Sequence, residues 1–407
     1  MERTTCVIAG GGPAGMVLGL LLARAGVEVT VLEKHADFLR DFRGDTVHPS
    51  TLDLLDELGL GEKFAQVPHR RVDKMQVMLD SGIAQVADMS RIRSRHKYIA
   101  FVPQWDFLDM MADAGKAEPT FTLRMSTEVT GLVRRGGKVV GVHYRTADGR
   151  TGELHADLVV ACDGRHSTAR AGAGLKSRSF GVPMDVWWFR LPRHEGDPSG
   201  GLGRFGQGQA AVLIDRGDYF QTAYLIKKGS DATVRAEGVE AFRERVVNMV
   251  PWLADRIDAV ESLDDVKLLD VRLERLTRWH TDGLLCIGDA AHAMSPVGGV
   301  GINLAVQDAV AAARLLAGPL YRGTLTTKDL ARVQRRRWLP TALTQSAQRL
   351  IHKQVLGKTL NGERPAMTRV PRPIRILQRF PWLQVIPATA VGLGVLPEHA
   401  PEFARRR

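Results

Sequence analysis

The sequence predicts an α/β fold with an α+β insertion: a Rossmann-like nucleotide-binding sheet, an inserted and mainly antiparallel β-sheet unit, and a helical C-terminal segment. Three observations lead there. A β-turn-α-β unit opens the chain within about 30 residues. A strand-rich stretch punctuated by Gly and Pro runs from Ser177 to Ile226, and strong helix formers with helical periodicity fill Thr327 to Val355. With 407 residues, 44% hydrophobic and 25% charged, the chain is long and apolar enough for a sizeable core, which excludes wholesale disorder and a multi-span membrane protein.

The elements follow in order. Thr5 to Ala9 is a short branched strand that runs into Gly10, Gly11 and Gly12, and no targeting segment is expected ahead of it. Pro13 suits the first turn of a helix that continues from Ala14 to Ala23; Gly26 stops it, and Glu28 to Leu32 forms the second strand. Helices are expected over Ser50 to Leu58 and Gln104 to Lys116, strands through Thr127 to Tyr144, and a buried strand over Asp157 to Ala161. Beyond the strand-rich middle come a helix near Val239 to Met249, a buried strand at Leu284 to Ile287 and a helix from Gly301 to Leu316. The helical stretch after Thr327 is expected to break at Pro340 and give way to a Pro-studded tail.

Charge is unevenly spread. From Leu320 onward there are 17 basic and 4 acidic residues, whereas the first 319 residues hold 39 basic and 41 acidic ones. No nucleic-acid module accompanies the basic segment, so solvated helix faces are its simplest reading and no nucleic-acid partner is expected. Three cysteines, Cys6, Cys162 and Cys286, show no CxxC pair or metal-ligand spacing. They suit a reducing, cytoplasmic compartment, and small core residues on strands explain them better than a redox triad.

The first chemical signal is Gly10-x-Gly12-x-x-Gly15 after the first strand, with Glu33 and Lys34 ending the second. Gly10 permits a tight turn, Gly12 lets a pyrophosphate approach the backbone, and Gly15 lets the helix pack closely. The helix start at Pro13 and Ala14 then faces the phosphates. Glu33 can accept hydrogen bonds from an adenosine ribose and repels a 2′-phosphate, which suits FAD or NAD and not NADP. The bland alternative is a glycine turn without a ligand. A second signal lies at Gly288, Asp289 and His292, continuing through Pro296, Gly299, Gly301, Ile302 and Asn303. A carboxylate at a strand end can hold a sugar-alcohol hydroxyl, and a glycine-rich helix start offers free N–H groups to an anionic edge.

Together these residues resemble the single-component FAD-dependent aromatic hydroxylases, the group A flavoprotein monooxygenases similar to p-hydroxybenzoate hydroxylase and the ubiquinone-pathway hydroxylases. Three motifs carry the resemblance in order: the glycine fingerprint with Glu33, Asp163-Gly164-x-x-Ser167-x-x-Arg170, and the segment from Gly288 through Asn303 to Asp308. It implies non-covalent FAD, with NADH or NADPH as reductant. It places Asp289 on the ribityl chain, Pro296 and the stretch from Gly298 to Asn303 at the isoalloxazine, and the Asp163 motif at FAD and pyridine nucleotide together. It also places Arg43 near the pyrophosphate, Gln104 near the ribityl or phosphate portion, and the Val129 backbone at the adenine. The implied domains are FAD-binding over 1–74, 102–176 and 277–320, substrate over 75–101 and 177–276, and helical over 321–407.

The implied reaction passes hydride to FAD, then forms a flavin C4a-hydroperoxide with dioxygen that delivers oxygen to an aromatic or polycyclic small molecule. It requires no catalytic side chain and no metal. The Pro296 carbonyl helps position substrate or flavin in relatives. Many relatives carry Gln where this chain has Val300, which bears on substrate rather than on FAD. A flavin-dependent reductase, a halogenase and a non-catalytic flavin-binding protein remain alternatives, although Trp187-Trp188-Phe189-Arg190 does not reproduce the WxWxIP signature of halogenases. The chain after residue 320 is too short for the thioredoxin-like domain of larger polyketide hydroxylases.

Some side chains stay open to more than one reading. His292 is expected to orient its loop and His48 to point toward the flavin edge without acting as a base. Trp188, Phe205 and Tyr224 are candidates for pocket lining. Arg332, Arg335, Arg336 and Arg337 precede an apolar run from Phe380 to Ile386 that is too short to cross a bilayer. Contact with a membrane surface is weighed against packing on the FAD domain, and packing is the expectation. Denaturation of the purified protein should release FAD, and Asp289→Ala should weaken FAD retention by about 1.5–3 kcal/mol through loss of charge-assisted hydrogen bonds, read by equilibrium dialysis.

Overall fold

Branched and small apolar residues make the strands Cys6–Ala9, Val29–Leu32 and Leu158–Ala161, and every position in them is buried. Strands buried on both faces read as unbroken apolar runs because they pair in parallel between helical layers. In the computed structural model, which describes residues 2–39, 46–79, 82–206, 208–362 and 372–406, these strands lie side by side. Leu284–Cys286 pairs in parallel with Leu158–Ala161, and Phe121–Arg124 with Val29–Leu32. His280–Thr281 closes one edge of this six-stranded sheet in antiparallel fashion. The ends of three adjacent strands therefore deliver the three sequence motifs to one edge of the sheet.

The helices that position the site are α1 (Pro13–Arg24), α2 (Pro49–Glu57), α3 (Gln104–Lys116), α4 (Gly301–Tyr321), α5 (Thr327–Ile351), α6 (Arg372–Arg379) and α7 (Val385–Gly392). Two differences from the sequence reading concern helix ends. α4 continues through Pro319 to Tyr321, and the span Val297–Tyr321 is apolar and long enough to cross a membrane, yet 78% of its apolar window is buried inside the protein. α5 passes through Pro340 without stopping. A proline forfeits one backbone hydrogen bond, and the side chains that anchor α5 on both sides of Pro340 hold the helix together.

A seven-stranded sheet runs in the order Lys267–Leu269, Met184–Pro192, Tyr219–Lys227, Gln209–Asp215, Gly201–Gly206, Lys74–Leu79, Gly82–Asp88. All its pairings are antiparallel except that between Gly201–Gly206 and Lys74–Leu79. Side-chain alternation gives it two different faces. Trp187, Phe189 and Tyr224 pack edge-on around Phe242 of the helix Gly238–Met249. Trp188, Phe205 and Val212 face the other way, toward Val297, Leu356 and Leu360. Tyr224 is thus a core residue and not a candidate for the pocket; burial pushes its phenol up to about 12.

The second half of α5 is inverted. Leu330 and Val333 of its first half are buried in the core, but from Arg337 on the buried side carries Arg337, Thr341, Gln345 and Gln348 with Pro340, while Leu339, Leu343 and Leu350 stay exposed. Phe242→Ala should cost about 3–5 kcal/mol of stability, because three rings lose one partner and a cavity remains; Trp188→Ala should cost less, since its ring is only partly buried, and urea unfolding distinguishes the two.

Candidate functional site

The glycine turn is built as the motif requires. Gly10 has φ of +101°, and a side chain there would meet the Cys162 carbonyl oxygen at 2.6 Å and Asp163 Cα at 2.9 Å. At Gly15 a Cβ would lie 2.0 Å from the Gly10 carbonyl oxygen. A Cβ added at Gly12 would meet nothing within 4 Å, so this side of the backbone at the start of α1 is open to a ligand. Pro13 takes the first helical position and Ala14 is buried behind it. Gly288, at +58°, sits against Ala14 and Ala305, which brings the third motif onto the first.

Glu33 is set in place by the backbone: Oε2 accepts from Gly11 N–H at 2.9 Å and Oε1 from His35 N–H at 3.1 Å. Lys34 beside it is exposed. The strand that carries Val129 starts with Thr127, whose N–H donates to the Glu33 carbonyl at 2.8 Å. Asp163 faces the glycine turn. Its Oδ2 accepts from Ala169 N–H at 3.1 Å, whereas Oδ1 is buried without a partner among the described residues, and burial raises its pKa. Asp289 stands at the end of Leu284–Cys286, and Gln104 opens α3. Arg43 and Gly44 lie outside the described residues. All three cysteines are unpaired, and burial pushes each thiol up, as core residues would have it.

The loop from Ala293 to Gly301 is held from several sides. Gly298 and Gly299 have φ of +82° and +64°, a left-handed pair that side chains disfavour. The Gly299 carbonyl accepts from Thr46 Oγ1 at 3.0 Å and lies 3.0 Å from His48 Nε2. His48 Nδ1 lies 2.8 Å from the Val391 carbonyl. Burial holds the His48 pKa below its ordinary value against the pull of these carbonyls, so His48 is a brace between loop and C-terminal tail. Asn303 is 3% exposed, and its Oδ1 accepts from Ser50 and Thr51 of α2, both at 2.8 Å. Its side-chain oxygen is therefore committed to the protein, while Gly301 and Ile302 begin α4 with unblocked N–H groups.

Several residues that the sequence reading passed over complete this loop. Gln348 of α5 donates to the Ser295 and Val297 carbonyls, each at 2.9 Å, and accepts from Ser295 N–H at 3.3 Å. Gln345 donates to the Glu274 and Ala293 carbonyls. His352 Nε2 meets Ser295 Oγ at 2.9 Å, and burial lowers its pKa to about 4. Behind the loop lies Asp308, fully buried. Its Oδ2 accepts from His292 Nε2 at 2.5 Å and Gly288 N–H at 3.1 Å, and its Oδ1 accepts from Arg337 Nε at 2.9 Å. Burial alone would raise the Asp308 pKa; the His292 and Arg337 charges outweigh it and hold it below the carboxylate range. The polar residues at 337, 341, 345 and 348 recur at helical spacing, and that period, opposite a leucine stripe, was the available signal for them.

Residues 3–346 match the family described as FAD binding domain. The chain is 33% identical over 387 residues to 6-methylpretetramide 4-monooxygenase of Streptomyces rimosus, covering 93% of this chain and 92% of that one. It is 31% identical to the 12-dehydrotetracycline 5-monooxygenase/anhydrotetracycline 6-monooxygenase of the same species, over 76% of this chain but 61% of that longer one. Among solved structures, the OxyS anhydrotetracycline hydroxylase from Streptomyces rimosus superposes with a TM-score of 0.75 at 24% identity, covering 98% of this chain and 78% of that chain.

Removing Arg337 leaves the buried Asp308 carboxylate short of a cation. Arg337→Met should destabilise the protein by about 3–5 kcal/mol in chemical unfolding at neutral pH. Because the folded carboxyl has a depressed pKa, its contribution is present above the ordinary value of 3.8 and is lost as pH falls through the lower folded value. The deficit should narrow only in that acid range.

Proposed function

The chain belongs to the FAD binding domain family, as one of its FAD-dependent aromatic monooxygenases, and from that premise we propose that it hydroxylates a polycyclic aromatic small molecule with NADH or NADPH and dioxygen. The observation that carries the choice of substrate class is the similarity to 6-methylpretetramide 4-monooxygenase along nearly the whole of both chains.

The residues fit the cofactor. An open backbone at Gly12, the fixed carboxylate of Glu33 and the unpartnered buried Oδ1 of Asp163 converge on one end of the parallel sheet. In this reading Gly10, Gly12, Pro13, Ala14 and Gly15 receive the pyrophosphate, Glu33 the ribose, the Val129 backbone the adenine, and Asp289 with Gln104 the ribityl portion. The loop Pro296, Gly299, Gly301, Ile302 and Asn303 receives the ring system through backbone groups. Arg43, in sequence between these elements, keeps its assignment to the pyrophosphate.

FAD, when bound, supplies the redox chemistry: it is reduced by the nicotinamide and activates dioxygen. The protein's part is placement and exclusion of water. Helix α4 aims its N-terminal N–H groups at the loop and favours negative charge there. The face with Trp188, Phe205 and Val212 presents apolar surface opposite Val297, suited to a flat apolar ring system. A cytoplasmic location accords with the three unpaired cysteines.

The test is a screen of polycyclic phenols for stimulation of NADH and NADPH oxidation. The expected outcome is oxygen uptake matched to nicotinamide oxidised and a product heavier by one oxygen atom. Halide-dependent product, or flavin binding without turnover on any ring compound, would contradict the assignment.

A further inference from the structure

Because α5 from Arg337 on turns its polar side inward, the leucines of that half face out. Leu339, Leu343 and Leu350 are 46%, 47% and 61% exposed and lie opposite Arg337, Gln345 and Gln348 on the helix. Ala347 and Ile351 carry this side round toward Thr344, which lines a small cleft with Ala390 and Val391 at the end of α7. On α7 Ile386 is 62% exposed, and just before it Phe380 and Trp382 stand out from the turn that follows α6. Among the described residues, nine of the fourteen large hydrophobic side chains that stay exposed fall between 338 and 386. Soluble surfaces scatter such side chains singly, so a concentration on adjoining helices marks a contact surface.

Charge identifies the partner. Between Asp329 and Glu398 the sequence has twelve Lys and Arg and one acidic residue, Glu363. Arg337 is consumed by Asp308 and Arg336 by Glu398. Arg335, Arg349, Lys353, Arg372, Arg375 and Arg379 remain as exposed or partly exposed cations around the apolar residues. A second copy of the chain would bring cations against cations. Exposed leucines, an aromatic pair and a rim of Lys and Arg match the boundary of an anionic bilayer, where apolar side chains enter between headgroups and cations meet lipid phosphates.

We propose that the outer faces of α5, α6 and α7 form a docking surface for an anionic lipid membrane. This inference stands on the exposed surface and does not depend on the substrate assigned above.

The test uses the FAD-loaded full chain, sedimented with vesicles of phosphatidylglycerol and phosphatidylcholine or of phosphatidylcholine alone, at low and high salt. Binding is expected on the anionic vesicles at low salt, and about tenfold weaker on neutral vesicles or at high salt. The double variant Leu343→Glu/Leu350→Glu, and separately Arg375→Glu/Arg379→Glu, should each lose at least about tenfold in binding while the flavin spectrum and the thermal midpoint stay unchanged. Absence of binding at low salt overturns the proposal. So does binding that both double variants leave intact, which would locate it elsewhere. A dimer that Leu343→Glu/Leu350→Glu turns into a monomer, without any lipid binding, would assign the face to a second copy and overturn it as well.

Discussion

A carboxylate without solvent exposure must be matched by donors from within the protein, and Asp308 gathers donors from three separate parts of the chain. Gly288 N–H belongs to the turn after a central strand, His292 to the following loop, and Arg337 to a helix that begins well after the nucleotide-binding sheet is complete. An unmatched charge at this depth would cost several kcal/mol, so the three parts have to assemble together. Arg337 in turn lies within 3.9 Å of buried Glu398, which also pairs with Arg336 and takes the Gln307 side chain at its backbone N–H. The C-terminal segment is thereby locked to the same helix that starts at the Gly298–Gly299 loop.

This dependence explains the inverted composition of α5. The loop from Ala293 to Val300 has one short turn, with Gly299 N–H on the Pro296 carbonyl, and its left-handed Gly298 and Gly299 prevent it from continuing as regular helix or strand. Its buried and part-buried carbonyls therefore need donors from elsewhere. Gln345 and Gln348 provide them from one side, Thr46 and His48 from the other. A conventional amphipathic helix with leucines inward would leave that loop unpaired. The loop is consequently fixed by side chains from near the beginning and near the end of the chain, and its rigidity is a tertiary property. The same inversion leaves leucines outside, so the hydrogen-bonding requirement of this loop sets the chemistry of the outer surface.

The second sheet shows how one strand can serve two purposes. Trp187 and Trp188 are neighbours in sequence, yet one is sealed against Phe242 and the other looks toward Val297. The sealed face fixes the sheet against its helix, and the other face packs in a separate apolar cluster with Leu356 and Leu360. Asp185 ties this sheet to the segment at Val271 by accepting from its N–H at 3.0 Å, and Lys228 bridges Asp185 and Asp270, so the sheet is fixed at its edge.

Sequence alone determined the strands and the glycine turn, because each is set by residues close together in the chain: a short apolar strand and a φ that only glycine tolerates at Gly10. That motifs near residues 10, 163 and 288 belong to one site was legible only through their resemblance to a known family, since their meeting is made by strand pairing across the chain. Sequence also determined the cofactor class, since those local units are what grip a dinucleotide. Which way a strand or helix faces is different, because that depends on what packs against it from far along the chain. Tyr224 read as a pocket candidate until Phe242 was seen beside it, Pro340 read as a break until the anchors around it were visible, and His48 read as pointing toward the flavin edge until Gly299 and Val391 were found on its two ring nitrogens. Most of all, the polar stripe of α5 looked like an ordinary solvated face. Only the tertiary structure, by placing buried loop carbonyls and the Asp308 carboxylate in front of it, made the polar side the inner one.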